Sequence, residues 1–231
     1  MKRYLTEQEQ RRLLAAAKSQ ADPLAQRDYH WMAALILTGM RVQEWSRLTA
    51  DQVRMALRTG WLVSLKEHCK GKRHANDYLV TQPLRVHLEA LLKLSDEVAK
   101  EVPQAVGVMQ PLVWGRWIPH QVFEGQAPWF YAVPLSVRSY EARLKEWARA
   151  AGLDERVSPH WLRHTRGMNV YERTRGKDGL RVAQLALNHQ SIRSTGIYTQ
   201  MSREEYEREI RFVDGGRMPR RLAREMVLGG A

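Results

Sequence analysis

The sequence contains a single cysteine, Cys69, among its 231 residues. One thiol cannot form an internal disulfide, and it argues against a cysteine-rich metal site, so the chain suits a reducing compartment. No stretch approaches the roughly 18 consecutive apolar residues of a membrane span, and no apolar segment follows the charged N-terminus as it would in a signal peptide. These absences exclude disulfide scaffolds and membrane-spanning proteins, and they predict a cytoplasmic protein.

Proline and glycine are not enriched, at 9 and 15 residues, while hydrophobic residues make up 44% of the chain. This composition is typical of a globular protein with an ample core, and the length fits one large domain. The charge is strongly one-sided, because 37 lysines and arginines face 25 acidic residues and give a net charge of +12. Such a surplus favours a polyanionic partner, with nucleic acid as the leading candidate, although ribosome-associated and membrane-surface proteins are also basic.

The first 80 residues predict helices followed by a hairpin. Thr6 and Glu9 have the spacing of a capping box that opens a helix, with a stop near residues 22–23. A second, buried helix is expected at about 27–37, ended by Gly39 in the left-handed conformation. Apolar segments at 61–65 and 78–80 then read as two strands joined by a very basic turn.

The rest of the chain is predicted to be helical, apart from one long interruption. Residues 84–100 and 136–151 have helical patterns, whereas 102–134 contain five prolines and predict an irregular connection. Most of the sequence after 158 is expected to be helical again. The predicted fold is therefore mostly α with a small antiparallel β-sheet, an α+β protein.

Three short segments contain the residues that are best suited to catalysis. Thr38–Glu44 presents Arg41 at a helix junction, with Glu44 three residues later on the same helical face. Ser158–His164 has the form of a helix start, where His160 and Arg163 would share an exposed first turn suited to anions. Leu187–Thr199 contains His189 and, nine residues on, Tyr198. One phenol and several cationic or imidazole groups in a basic chain suggest covalent chemistry on a DNA phosphate.

Each of these residues also has an ordinary structural interpretation. The first turn after Ser158 could be a surface cap with solvated charges, and a histidine just past a helix end more often interacts with the helix dipole than it catalyses. Tyr198 alone is one of 8 tyrosines. The joint pattern, in this order and local context, is what favours a catalytic interpretation.

The pattern resembles the tyrosine recombinase, or phage integrase, family over about residues 4–200. That family has an arginine after a Thr-Gly-apolar sequence, a lysine in a β-hairpin, a His-x-x-Arg motif, a His or Trp, and a tyrosine nine residues later. The matching positions are Arg41, His160, Arg163, His189 and Tyr198, with Glu44 at a frequent acidic position. The hairpin lysine corresponds to Lys70 or Lys72, with Lys66 as a third candidate, and Asn188 stands where the family usually has glycine.

The resemblance implies a metal-independent and ATP-independent transesterification that needs no cofactor. Tyr198 would attack a DNA phosphodiester to form a 3′-phosphotyrosyl bond, and the hairpin lysine would protonate the leaving 5′ oxygen. Arg41 and Arg163 would stabilise the phosphate charge. His160 would help to deprotonate Tyr198 or hold the phosphate, and His189 would donate a further hydrogen bond. Glu44 would orient the cationic groups without touching the phosphate.

The resemblance also implies an organisation and partners. Residues 1–200 would form a tyrosine recombinase catalytic domain, and 201–231 a helical tail that either packs on its own domain or is exchanged between subunits. No N-terminal core-binding domain is evident, which fits either a short recombinase or a fragment of a longer protein. The expected partner is double-stranded DNA, bound by a homotetramer in the bacterial cytoplasm or nucleoid, with DNA-bending proteins as candidate accessories.

Other functions fit the same sequence. A type IB topoisomerase or telomere resolvase shares this set of residues and differs in the fate of the cleaved strand. A DNA-binding regulator could have the same fold without catalysis, and a basic helical scaffold would leave the motifs as coincidence. Retention of all the matched residues favours site-specific recombination, with integration, excision, inversion or resolution as outcomes.

Overall fold

The computed structural model of the chain describes residues 4–69, 74–101, 109–119, 130–174 and 179–188. Within these ranges the elements are helices α1 Glu7–Lys18, α2 Pro23–Thr38, α3 Val42–Trp45, α4 Ala50–Thr59, α5 Gln82–Glu101, α6 Val137–Ala150, α7 Pro159–Arg173 and α8 Gly179–Ala186, and strands β1 Trp61–Ser64, β2 Asn76–Leu79, β3 Trp114–Pro119 and β4 Phe130–Pro134. The predicted mostly helical α+β fold is confirmed. No helix of the described ranges is long and apolar enough to cross a membrane.

The first two helices begin at the capping residues that the sequence offers. The Thr6 hydroxyl accepts a hydrogen bond from the Glu9 amide at 3.3 Å, and the Glu9 carboxylate accepts one from the Thr6 amide at 2.7 Å, which confirms the capping box. Helix α1 ends at Lys18, before the predicted stop. Asp22 instead caps α2, and Pro23 is its first residue, where a missing N–H costs nothing.

Helix α2 lies at the centre of the molecule and packs against α1, α5 and α7. Its side chains Trp31, Met32 and Leu35 are almost fully buried. The Trp31 ring meets Tyr140 of α6 edge to face, with the ring centroids 4.9 Å apart. The apolar run that predicts a helix buried all round is thus explained, because α2 has neighbours on several sides.

A buried carboxylate fastens α6 to α2. Asp28 is wholly buried and accepts hydrogen bonds from the Arg27 guanidinium and the Trp31 indole on its own helix. Its second oxygen accepts from Arg143 Nε at 2.6 Å and from Trp147 Nε1 at 2.9 Å, both on α6. A buried charge is tolerated when it is paired and hydrogen-bonded in this way. These contacts hold the central turns of α6 against α2.

Two antiparallel hairpins complete the described fold. Strands β1 and β2 pair as predicted, with Trp61 opposite Leu79. The expectation of a wholly irregular connection over 102–134 is wrong for its described residues, since β3 pairs with β4. Pro119 and Pro134 are the last residues of their strands, and a two-stranded ladder tolerates proline at such positions. Proline content therefore misled the prediction.

Candidate active site

The first part of the site forms where α2 gives way to α3. Gly39 ends α2 with φ +65°, the left-handed conformation that the sequence predicts. The chain then turns, and Arg41 immediately precedes α3. Its Nη1 donates to Glu44 Oε1 at 2.9 Å, so the predicted pairing of the two side chains is confirmed. The Arg41 side chain remains 31% exposed while that of Glu44 is 1% exposed, which leaves the guanidinium available to a ligand.

The hairpin contributes two donors to Glu44 that sequence reasoning missed. Asn76 Nδ2 and the Tyr78 hydroxyl, both on β2, donate to Glu44 Oε2 at 3.1 and 2.9 Å. Burial, reinforced by the Glu44 charge, raises the pKa of Tyr78 well above its usual range, so the phenol stays protonated and acts as a donor. Asn76 and Tyr78 are two positions apart, so their side chains lie on the same face of the strand, and this spacing was the signal in the sequence for a shared role. Glu44 thus connects Arg41 to the β1–β2 hairpin.

Helix α7 supplies the second arginine and a histidine. Pro159 is its first residue and Ser158 occupies the cap position, but the serine side chain makes no capping hydrogen bond. His160 is exposed, as predicted, whereas Arg163 is only 4% exposed, so the expected sharing of an exposed turn is wrong for the arginine. Its burial has a tertiary cause, because the ends of α2 and α8 both approach it.

Arg163 joins these two helix ends through main-chain carbonyls. Its Nη1 donates to the Gly39 oxygen and its Nη2 to the Leu187 oxygen, each at 2.5 Å. A guanidinium is planar and has five N–H donors in a fixed arrangement, so these two contacts fix its orientation. The last carbonyls of a helix lack partners within the helix, and Arg163 satisfies one beyond the end of α8.

A cavity of about 190 Å³ lies between these elements. The described residues that line it are Met40, Arg41, Val42, Gln43, Val137, Glu141, Pro159, His160 and Arg163. Arg41, His160 and Arg163, from two distant segments of the chain, therefore face one space. Glu141 of α6 was not anticipated, because an exposed glutamate on an amphipathic helix looks like an ordinary surface residue. The His160 ring also contacts His164 edge to face, with centroids 4.3 Å apart.

Several predicted site residues lie outside the described part of the chain. These are Lys70, Lys72, His189 and Tyr198. Lys66, the third lysine candidate, begins an exposed 3-10 turn after β1, and it is not among the described residues that line the cavity. Among the described residues, no three His, Cys, Asp or Glu side chains converge in an arrangement that could hold a metal ion.

The electrostatics of the cavity suit a tetrahedral anion. Two guanidinium groups present fixed, permanently charged donors, and an imidazole can donate or accept near neutral pH. Donors that are already oriented by protein contacts stabilise developing negative charge without first having to reorganise. Glu44 and the two carbonyls on Arg163 provide that prior orientation. The arrangement can therefore bind a phosphate group and stabilise charge on its oxygens.

Comparisons with known proteins agree with this geometry. The model of the Phage integrase family matches residues 3–205. Tyrosine recombinase XerD of Xanthomonas axonopodis pv. citri (strain 306) is 30% identical over 208 residues, a match that covers 88% of this chain. The same match covers 60% of that relative, so this chain spans somewhat more than half the length of the recombinase.

Solved structures show the same fold. The crystal structure of XerA recombinase superposes with a TM-score of 0.64 at 24% identity, covering 93% of this chain and 64% of that one. XerH site-specific recombinase, in a pre-cleavage complex with its difH substrate, gives a TM-score of 0.63 at 20% identity and covers 90% of this chain and 53% of that one. At these identities the likeness concerns the fold.

Proposed function

Because this chain belongs to the phage integrase family of tyrosine recombinases, we propose that it is a site-specific recombinase that cleaves and rejoins DNA through a 3′-phosphotyrosyl intermediate. The observation that supports this function best is the convergence of Arg41, His160 and Arg163 on one cavity. Each of these residues occupies a position of the family motif. The nucleophile in this proposal is Tyr198.

The proposed reaction exchanges one phosphate ester for another. The Tyr198 oxygen attacks the phosphorus, the bond from phosphorus to the 5′ oxygen breaks, and the phosphate becomes esterified to the tyrosine on its 3′ side. A lysine of the hairpin, Lys70 or Lys72, supplies the proton that the departing 5′ oxygen needs. In the second step a 5′ hydroxyl attacks the phosphotyrosine and releases the phenol. The ester bond is conserved throughout, so no ATP is consumed.

The described side chains are suited to stabilising the five-coordinate transition state. Arg41 and Arg163 would donate to the non-bridging oxygens, where negative charge accumulates as the phosphorus becomes five-coordinate. His160 would accept the phenol proton or hold the phosphate, a role suited to a group that titrates near neutral pH. His189 would add a hydrogen bond. Glu44 would orient Arg41 without touching the phosphate, since its carboxylate is buried among donors.

The proposed partner is double-stranded DNA. The net charge of +12 supports binding to the phosphate backbone, and XerH, which has the same fold, is known in complex with its DNA substrate. Strand exchange requires two duplexes, so we propose assembly as a homotetramer, with residues 201–231 as the segment that is exchanged or packed in place. Accessory DNA-bending proteins and a location in the bacterial cytoplasm or nucleoid complete the proposal.

A trapping experiment tests the nucleophile. DNA duplexes that the protein binds are selected from a random library, nicked close to the expected cleavage point, and incubated with protein in EDTA. The short fragment released by cleavage diffuses away, so a covalent protein–DNA band should accumulate on a denaturing gel. We expect this band with the wild type and with the control Tyr171→Phe, whose tyrosine lies near the far end of α7, and its loss with Tyr198→Phe.

The other outcomes discriminate between functions. No covalent band on DNA that is demonstrably bound would overturn the proposal in favour of a non-catalytic regulator. A band that requires Mg²⁺ would contradict the metal-independent mechanism. Covalent complexes that only relax supercoiled DNA, and never join two different duplexes, would identify a topoisomerase instead.

A further inference from the structure

The second residue after α8, Asn188, has an uncommon backbone conformation. Asn188 has φ +50°, and it is the one non-glycine residue with positive φ in the part of the chain that the structure describes. Asparagine tolerates this region better than most residues, but glycine occupies it with less strain. Glycine would relieve this strain, whereas the asparagine side chain offers a hydrogen-bond donor that glycine lacks.

The contact that it makes crosses to the hairpin. Asn188 Nδ2 donates to the main-chain oxygen of Asp77 on β2 at 3.1 Å, across 111 positions of sequence. The residue before it, Leu187, is wholly buried, and its carbonyl oxygen accepts a hydrogen bond from the Arg163 guanidinium. The end of α8 is thus held on one side by Arg163 and on the other by β2.

The hairpin end of this contact leads back to the cavity. The residues on either side of Asp77, Asn76 and Tyr78, both donate to Glu44, which pairs with Arg41. A continuous series of side-chain and main-chain contacts therefore runs from Arg163 through Asn188 and β2 to Arg41. The two arginines of the cavity are linked by the hairpin as well as by their own helices.

The proposed reaction requires the hairpin and the end of α8 to be held close together. Strands β1 and β2 flank the sequence that contains Lys70 and Lys72, whereas Asn188 directly precedes His189. These two segments are far apart in sequence, and the proposed reaction requires their side chains to act on the same phosphate. A small displacement of a proton donor from its partner lowers a rate severely.

We propose that Asn188 is a positioning residue whose amide fastens the β1–β2 hairpin to the end of α8, so that the hairpin lysine reaches the leaving oxygen. The inference rests on the proposed function. Asn188 touches neither the phosphate nor the nucleophile in this scheme. Its contribution is to the protonation of the 5′ oxygen, through the placement of the strands on either side of the lysine.

The substitution Asn188→Gly tests the amide alone, because glycine accepts φ +50° without strain. Asn188→Asp is the second variant, since it keeps the size of the side chain and replaces the donor by an acceptor facing the Asp77 oxygen. A neutral hydrogen bond is worth roughly a 3- to 10-fold effect. We expect both variants to form the covalent complex roughly 3- to 10-fold more slowly, with a melting temperature lowered only by the few degrees that one lost hydrogen bond allows and, for Asn188→Gly, unchanged DNA affinity.

A substrate with sulfur in place of the scissile 5′ oxygen separates positioning from general damage. A thiolate departs without being protonated, so it does not depend on the lysine. We expect Asn188→Gly to cleave the sulfur substrate at the wild-type rate. Equal slowing on the oxygen and sulfur substrates would overturn the inference, and so would a wild-type rate on oxygen. Failure of the wild type to form any covalent complex would refute the proposed function instead.

Discussion

Replacing Gly39 by alanine should destabilise the protein through two separable effects. The first is backbone strain, because Gly39 has φ +65°, a conformation that costs an L-amino acid about 1 kcal/mol. The second is steric. A Cβ atom at this position would lie 2.5 Å from Leu187 Cδ2 and 3.0 Å from Arg166 Cγ. Leu187 is wholly buried and has little room to move, and overpacking of this kind costs about 1–3 kcal/mol.

Gly60→Ala provides the matched control. Gly60 has φ +80°, but an added Cβ would meet no atom within 4 Å, so only the strain remains. We expect a loss of about 1 kcal/mol for Gly60→Ala and about 2–4 kcal/mol for Gly39→Ala in urea unfolding. For a protein of this size, each kcal/mol corresponds to roughly 2–4 °C in melting temperature.

Gly39→Ala should also affect the candidate active site, because the Gly39 carbonyl oxygen accepts a hydrogen bond from Arg163 Nη1. We expect Gly39→Ala to form the covalent complex more slowly than Gly60→Ala at a temperature where both variants are folded. Equal stability losses in the two variants would refute the steric argument. A stability difference without any difference in cleavage rate would refute the idea that the end of α2 positions Arg163.

Two further perturbations concern buried polar groups. Glu44→Gln replaces the carboxylate that accepts from Arg41, Asn76 and Tyr78 by a neutral amide, so the free energy of unfolding should fall by about 2–4 kcal/mol in urea titrations. Tyr78→Phe removes only one of these hydrogen bonds and should cost about 1–2 kcal/mol. Equal losses in the two variants would contradict the role of the Glu44 charge. His30 Nδ1 lies 3.0 Å from His87 Nδ1. Burial, together with neighbouring His87 and Lys18, lowers the pKa of His30 to about 4, and burial also lowers the pKa of His87. The unfolded chain therefore binds more protons between pH 6.5 and 4, and stability should fall by about 1–2 kcal/mol as the pH drops through that window, after allowance for the partial exposure of both rings. The double variant His30→Gln, His87→Gln should lose this dependence, and an unchanged pH profile would contradict the explanation.

Much of the local structure is readable because its causes are local. The capping box of Thr6 and Glu9, the left-handed Gly39 and the pairing of Arg41 with Glu44 depend on residues within a few positions of one another. Helical and strand periodicities are likewise properties of short segments. These predictions are confirmed because no distant contact opposes them.

Other features could not be read from the sequence because they depend on distant partners. Arg163 follows a helix start that looks solvent-exposed, yet two carbonyls from remote helix ends bury it. The β3–β4 hairpin contradicts a local proline signal, since its prolines fall at strand ends. Glu141 is an ordinary surface glutamate until α6 is placed beside the cavity. Each depends on contacts between separate segments.

The sequence by itself determined which chemical groups this protein has and their order: two motif arginines, motif histidines and a tyrosine at spacings typical of one enzyme family. Short-range capping, periodicity and charge encode that information, so it can be read without coordinates. Only the tertiary structure decided that Arg41, His160 and Arg163 share one cavity, and that β2 and Asn188 link its two sides. The physical reason is that these contacts join residues about 30 to 120 positions apart, and the packing of helices around α2 is what brings them together.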